Sequence, residues 1–215
     1  MSIKNKVIAF DLDDTLYKEI DFLKSAYMEI ASIVDKSHSE TLYNNMISNY
    51  YKGNNVFKFI SETYAAYTVE RLLKIYREHY PSISLSNEEW NVLLKLKTEA
   101  ITGLITDGRS LTQRNKIKAL GLENYFDKIV ISEEIGYSKP DIRLFNEFKK
   151  YGVSQYYYVA NDTRKDFVTP NRIGWITICL LDVNNQNIQK QDFSLSEYYL
   201  PQIKIKTLNA LLNII

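Results

Sequence analysis

Five short apolar runs, each ending in polar or acidic residues, constrain this 215-residue chain more than anything else in it. Val7–Phe10 ends at Asp11. Gly103–Thr106 ends at Asp107-Gly108. Lys128–Ser132 ends at Glu133-Glu134, Tyr156–Ala160 at Asn161-Asp162, and Trp175–Leu180 at Asp182. A continuous apolar run of strand length belongs in a strand buried on both faces, the setting of a parallel sheet. Helical patterns separate the later runs: Ser110–Leu120 closed by Gly121, Asp141–Tyr151 closed by Gly152, and Thr163–Ile173. Alternating strands and helices predict an α/β fold with a doubly wound parallel sheet. In such sheets ligands bind outside the carboxyl ends of the strands, where the acids of this chain collect.

Residues 18–85 break the alternation. They carry helical spacing instead: Phe22, Tyr27, Ile30, Ile33 and Val34, then Val56, Phe59, Ile60 and Tyr64, then Leu72, Leu73, Ile75 and Tyr76. The stretch is too long for a simple crossover. It reads as a module of about four helices, so residues 1–17 and 86–215 form the core and residues 18–85 an inserted helical unit. Ser86 and Glu89 have capping-box spacing at the start of the next helix. Asn184–Lys190 (NNQNIQK) reads as a polar surface loop. The 17 tyrosines are read as a helical packing layer, since Tyr suits the rim of a core.

Bulk properties exclude several classes. The net charge is +1 with both signs interspersed, which advertises neither a nucleic-acid nor a membrane partner. No apolar run approaches transmembrane length. Charges interrupt the opening MSIKNKVIAFDLDD before any signal-like stretch, and a cytoplasmic protein is the expectation. Cys179 is the only cysteine, which leaves no internal disulfide and no Cys-based zinc site. It reads as an inert strand residue. The sequence carries no signal for a particular oligomeric state.

Four features at strand ends carry chemistry when taken together. Asp11 and Asp13 lie two apart after the first strand, where two carboxylates can share a cation, or one can attack while the other moves a proton. Thr106, Asp107 and Gly108 offer a hydroxyl and a backbone turn to a phosphate oxygen. Lys139 can neutralise a phosphate and a neighbouring carboxylate. Asn161 and Asp162, with Asp166 one helical turn on, can complete an oxygen-rich Mg²⁺ site. Each alone has a plain alternative in a helix cap, a turn or a surface lysine. Their order along successive strand ends is what argues for a site.

FDLDDTLY (Phe10–Tyr17), LITDG (Leu104–Gly108), Lys139-Pro140 and VANDTRKDF (Val159–Phe167) resemble, in order, the four motifs of the haloacid dehalogenase-like superfamily. The helical insertion is similar to its C1 cap class. The resemblance implies a Mg²⁺-dependent phosphatase with Asp11 as nucleophile and Asp13 as general acid and base. It implies that Asp11, Asp162 and the Asp13 carbonyl hold Mg²⁺. Thr106, Asp107, Gly108 and Lys139 would bind the phosphoryl group, with Thr15, Asn161 and Asp166 behind them. Asp14 would orient the turn rather than react. The partner implied is a small phosphorylated metabolite. Asn161 departs from the Gly often found before the motif-four aspartate. Asp13 argues against the metal-free dehalogenases. A sugar phosphomutase on the same residues, a phosphonate hydrolase and a non-catalytic phospho-ligand or phosphoacceptor protein remain as alternatives.

Overall fold

The computed structural model describes residues 4–215; residues 1–3, counted above with the core segment 1–17, lie outside the described residues. The five apolar runs become strands β1 (Lys6–Phe10), β2 (Ile101–Thr106), β3 (Lys128–Ile131), β4 (Gln155–Ala160) and β5 (Ile176–Leu180). A sixth, β6 (Ile203–Ile205), was not legible as an apolar run, because it is three residues long with Lys204 in its middle. Pairing with β5, with Cys179 opposite Lys204, makes it a strand. A short, charged edge strand also discourages pairing with other chains.

All adjacent pairs are parallel, in the order β3-β2-β1-β4-β5-β6. β1 sits at the point where the strand order reverses, and Phe10 pairs with Leu104 on one side and Val159 on the other. The crevice at such a switch point is where this architecture binds ligands.

Both faces of β1 are buried, as its unbroken apolar run requires. Ile8 and Phe10 join Leu93, Leu96 and Ile117 on one face. Those partners come from α5 (Asn87–Glu99), which starts at the expected Ser86–Glu89 capping box, and from α6 (Ser110–Ala119). Val7 and Ala9 join Phe145, Phe148 and Trp175 on the other. Gly103 in β2 lies against this second cluster, where an added Cβ would overlap the Phe148 ring. Gly103→Ala is therefore expected to destabilise the fold by about 1–3 kcal/mol through overpacking. Urea unfolding checks this, and Phe148→Leu in the same chain should recover part of the loss.

The insertion contains four α-helices: α1 (Glu19–Val34), α2 (Ser39–Tyr51), α3 (Val56–Thr63) and α4 (Val69–Glu78). Leu23, Tyr27, Ile30, Met46, Ile60 and Leu72 form their shared apolar cluster. Some of the tyrosines form such a layer: Tyr27 meets Tyr50 and Phe57 edge-on, and Phe57 meets Tyr76 at 5.6 Å. Tyr51, Tyr80, Tyr137 and Tyr198 are exposed, and Tyr156, Tyr157 and Tyr158 lie on β4. Two residues of the α1 stripe go elsewhere. Phe22 packs with the sheet-side cluster and Ile33 is 42% exposed.

Three other expectations change. The helix expected over 141–151 is broken: after a one-turn helix, α7 (Ser132–Ile135), the expected segment holds only α8 (Ile142–Asn146) and a 3₁₀ turn, Lys149–Tyr151. The helix expected over 163–173 is only α9 (Val168–Arg172). Residues 162–166 are committed to a turn in which Asp162 Oδ1 accepts from Arg164 N and Asp166 Oδ2 accepts from Asp162 N. Such side-chain bonds compete with the helical ladder. Asn184–Lys190 is not a plain surface loop: Asn187 is buried and Ile188 packs on the helical insertion. Asn187 Oδ1 accepts from Lys18 Nζ and Ile188 N donates to Asp14 Oδ2, inward ties that composition cannot foretell. Cys179 is buried on β5, and burial pushes its thiol up to about 12. No helix among the described residues is long and apolar enough to cross a membrane.

Candidate active site

The site begins where β1 ends. Asp11 N donates to Val159 O at 2.9 Å, so sheet pairing carries one residue past β1 and sets the Asp11 carboxyl at the strand's edge. The chain then turns, with Leu16 N donating to Leu12 O. Asp14 has a left-handed backbone (φ 57°), which Asp tolerates better than most residues. Its Oδ1 accepts from Glu19 N and its Oδ2 from Ile188 N, so it does orient the turn.

Asp13 is gripped by three side chains. Lys116 Nζ donates at 2.7 Å, Tyr17 OH at 2.5 Å and Gln113 Nε2 at 3.1 Å. Burial opposes ionisation, but the Lys116 charge and these hydrogen bonds outweigh it and hold the Asp13 carboxyl below the usual range. Gln113 Nε2 also donates to Thr106 Oγ1 at 2.5 Å.

Lys139 is buried beneath the site. Its Nζ lies 2.6 Å from Asp11 Oδ1 and 2.7 Å from Asp166 Oδ1, and it donates to Tyr158 OH at 3.2 Å. Burial works against the ammonium, yet Asp11 and Asp166 hold its pKa well above the ordinary value. Asp107 fixes the backbone here, its Oδ1 accepting from Lys139 N and its Oδ2 from Lys165 Nζ at 2.9 Å. Thr15 Oγ1 donates to Asn161 Oδ1 at 3.1 Å, and this side chain is what the Asn in place of Gly supplies.

Asp11, Asp13, Thr106, Asp107, Asn161 and Asp162 line one cavity of about 130 Å³, with Asp14, Glu19, Lys165 and Gln189 completing its walls. The sequence-chosen Lys139, Thr15 and Asp166 stand behind this wall. Gly108 does not turn its N–H to the cavity's service here: it donates to Ser132 Oγ at 2.9 Å. Sequence reasoning missed Gln113, Lys116, Lys165, Tyr17, Glu19 and Gln189. Gln113 and Lys116 had a readable signal, since both are buried polar residues three apart on one face of α6. Lys165 lies inside the fourth motif. Nothing local marks Glu19 or Gln189.

The donors fit a hard divalent cation. Burial pushes the Asp11 carboxyl up to about 7 even against the pull of Lys139, and a cation bound beside it would favour its ionised form. Among the described residues no three acidic, His or Cys side chains cluster as a self-sufficient metal site. Two carboxylates supplemented by a carbonyl and water suit Mg²⁺, which keeps much of its hydration. Burial and then Asp13 push the Glu19 carboxyl on the same wall up to about 8.

Residues 8–175 match the family model described as haloacid dehalogenase-like hydrolase. A glyceraldehyde 3-phosphate phosphatase of Methanocaldococcus jannaschii is 28% identical over 212 residues, covering 88% of this chain and 90% of that protein. The HAD-hydrolase YfnB from Bacillus subtilis, solved bound to magnesium, has 16% identity and a TM-score of 0.65 over 98% of each chain. A HAD phosphatase from Thermococcus onnurineus has 18% identity and a TM-score of 0.62 over 97% of each chain. At these identities the two structural likenesses are of fold alone.

Proposed function

The chain belongs to the haloacid dehalogenase-like hydrolase family, and on that footing we propose that it is a Mg²⁺-dependent phosphatase acting through a phospho-aspartate on Asp11. One observation carries the reading: a buried carboxylate at the switch-point strand end is paired with a buried lysine at 2.6 Å and opens on a cavity shared with Thr106 and Asp162.

In the proposed reaction an Asp11 oxygen bonds to phosphorus as the bond to the leaving oxygen breaks. Lys139 and Lys165 offset the charge around Asp11, while Thr106 and the Asp107 turn position the phosphoryl oxygens. Asp13 gives a proton to the leaving oxygen. It then takes one from the water that attacks the phospho-aspartate, releasing phosphate and restoring Asp11. Its ion pair with Lys116 favours the ionised form, the base of the second step. A phosphate dianion entering beside it raises its proton affinity, as any like charge does, and equips it for the first. Asp11, Asp162 and the Asp13 carbonyl would hold Mg²⁺, which when bound supplies positive charge against Asp11 and the phosphoryl oxygens.

Asp13→Asn is expected to lower kcat by about 10²–10⁴-fold for a substrate with a poor leaving group, and by less for p-nitrophenyl phosphate. Steady-state kinetics on both substrates check it; equal losses would remove the acid role.

The substrate we infer is a small phosphorylated metabolite, with glyceraldehyde 3-phosphate the first to try because a 28%-identical relative carries that name. The cavity of about 130 Å³ supports a compact substrate; drug-sized ligands need roughly 300–1,000 Å³. Residues 18–85 would act as the family's helical cap, closing the site against bulk water. The test is phosphate release from a panel of phosphorylated metabolites with Mg²⁺ and then with EDTA. We expect release with Mg²⁺, loss of at least about 10²-fold with EDTA and recovery on re-addition. A folded protein that releases phosphate from none of them would end this reading.

A further inference from the structure

Substrate selection in a capped site is ordinarily sought in the cap, yet of the 18–85 insertion only Glu19, at its start, is among the described residues lining the catalytic cavity. Tyr64 and Tyr67 spend their hydroxyls on Asp35 and the Ile33 carbonyl, within the insertion. Beyond the motif residues and Lys165, the walls are Glu19, the first residue of α1, and Gln189, from the segment after β5.

These two residues are far apart in sequence but tied together in space. Asp14 accepts Glu19 N at 2.9 Å with one oxygen and Ile188 N at 2.8 Å with the other. One residue earlier on each strand of chain, Lys18 Nζ donates to Asn187 Oδ1 at 2.7 Å. Asn187 is itself buried, and its N–H donates to Asp182 Oδ2. Two parallel ties therefore join the segments that carry Glu19 and Gln189, and both residues line the cavity. Among the described residues, neither the Glu19 carboxyl nor the Gln189 amide has a hydrogen-bond partner, whereas Asp13, Asp14, Thr106 and Asp107 on the same walls are all engaged.

We propose that Glu19 and Gln189 read the non-phosphate end of the substrate by hydrogen bonds, selecting a phosphomonoester whose tail is short and uncharged and carries hydroxyl or carbonyl oxygens. The proposal rests on the phosphatase reading above. Phosphate belongs at the Lys139 and Lys165 side. The rest of the molecule then meets the rim, where Glu19 and Gln189 offer a carboxyl and an amide, while the nearby Lys116 is taken by Asp13 and Lys18 by Asn187. The same burial and neighbouring carboxylates that disfavour charge on Glu19 disfavour it on a substrate tail placed there, so a carboxylate tail is rejected. A tail without oxygens leaves the rim groups desolvated and unpaired, the situation in which hydrogen-bonding sites discriminate most strongly.

The experiment compares kcat/KM for glycerol 3-phosphate, propyl phosphate and 3-phosphoglycerate. Wild type should favour glycerol 3-phosphate over both by about 10-fold or more. Glu19→Ala and Gln189→Ala should each shrink the glycerol-to-propyl ratio by about 10-fold, with the change in KM, and Glu19→Gln, which keeps a hydrogen-bonding group, should restore most of it. Ratios unchanged in both alanine variants, or a wild type indifferent to the hydroxyls, would overturn the proposal. Wild type inactive on every substrate is a different result: it strikes the phosphatase reading itself, and this proposal falls with it.

Discussion

Replacing Asp11 with asparagine is expected to lower kcat for phosphate release by at least about 10⁴-fold without unfolding the protein. The amide is close in shape to the carboxylate and can still accept from Lys139 through its oxygen. What it loses is the anionic oxygen that must bond to phosphorus and, in the proposed site, a charged partner for Mg²⁺. Fold stability should not suffer. Burial already disfavours charge at this position, with the carboxyl pushed up to about 7, so a neutral side chain removes an unfavourable charge from the site. The thermal midpoint of the variant should match or exceed that of wild type. A variant that kept substantial turnover would mean that another group is the nucleophile; one that failed to fold would mean that Asp11 is structural.

The second large effect concerns Lys139, and there activity and stability should fall together. Its ammonium is buried between Asp11 and Asp166 at 2.6 and 2.7 Å. Lys139→Met preserves bulk and removes the charge, leaving two carboxylates buried without their counter-ion. Breaking one partner of a buried ionic cluster costs about 3–5 kcal/mol. Activity should fall by at least about 10²–10³-fold, the loss seen when one charge-stabilising donor is removed from a reaction site. Urea unfolding gives the first number and kcat/KM the second. The stability deficit should narrow as pH falls. The orphaned carboxyls can then take up protons in the folded state, so the penalty is full once they must ionise and fades as they are protonated. A deficit independent of pH would show that lost packing, not lost charge, is responsible.

The contrast between these variants mirrors what the sequence could and could not express. The strand-end grammar was enough to place Asp11, Thr106 and Asp162 around one crevice, because a parallel sheet brings the carboxyl ends of its strands to one side whatever the details. Lys139 precedes Pro140 in a loop, and only the order of the motifs marked it. The Lys116 and Gln113 clamp on Asp13 depends on which face of α6 meets the sheet, which helical spacing suggests but the polar character of both residues conceals. The rim formed by Glu19 and Gln189 had no local signal at all. It arises because the buried Asp14 carboxylate joins backbone groups 169 positions apart, Glu19 N and Ile188 N. The Asn184–Lys190 segment has the composition of a loop and is one. What composition could not convey is that its backbone and its Asn187 side chain satisfy acceptors and donors at the active site. Similarly, β6 exists only because β5 offers it an edge.

The most direct test of the central claim is to catch the phosphoryl group on its residue. Wild-type protein mixed with Mg²⁺ and its best substrate is quenched during turnover and treated with borohydride, which reduces an acyl phosphate to the alcohol. Peptide mass spectrometry should then find homoserine at position 11, dependent on both substrate and Mg²⁺. Phosphate release without that change, or with the reduction at Asp13 or Asp162 instead, would contradict the assignment of Asp11 as the nucleophile.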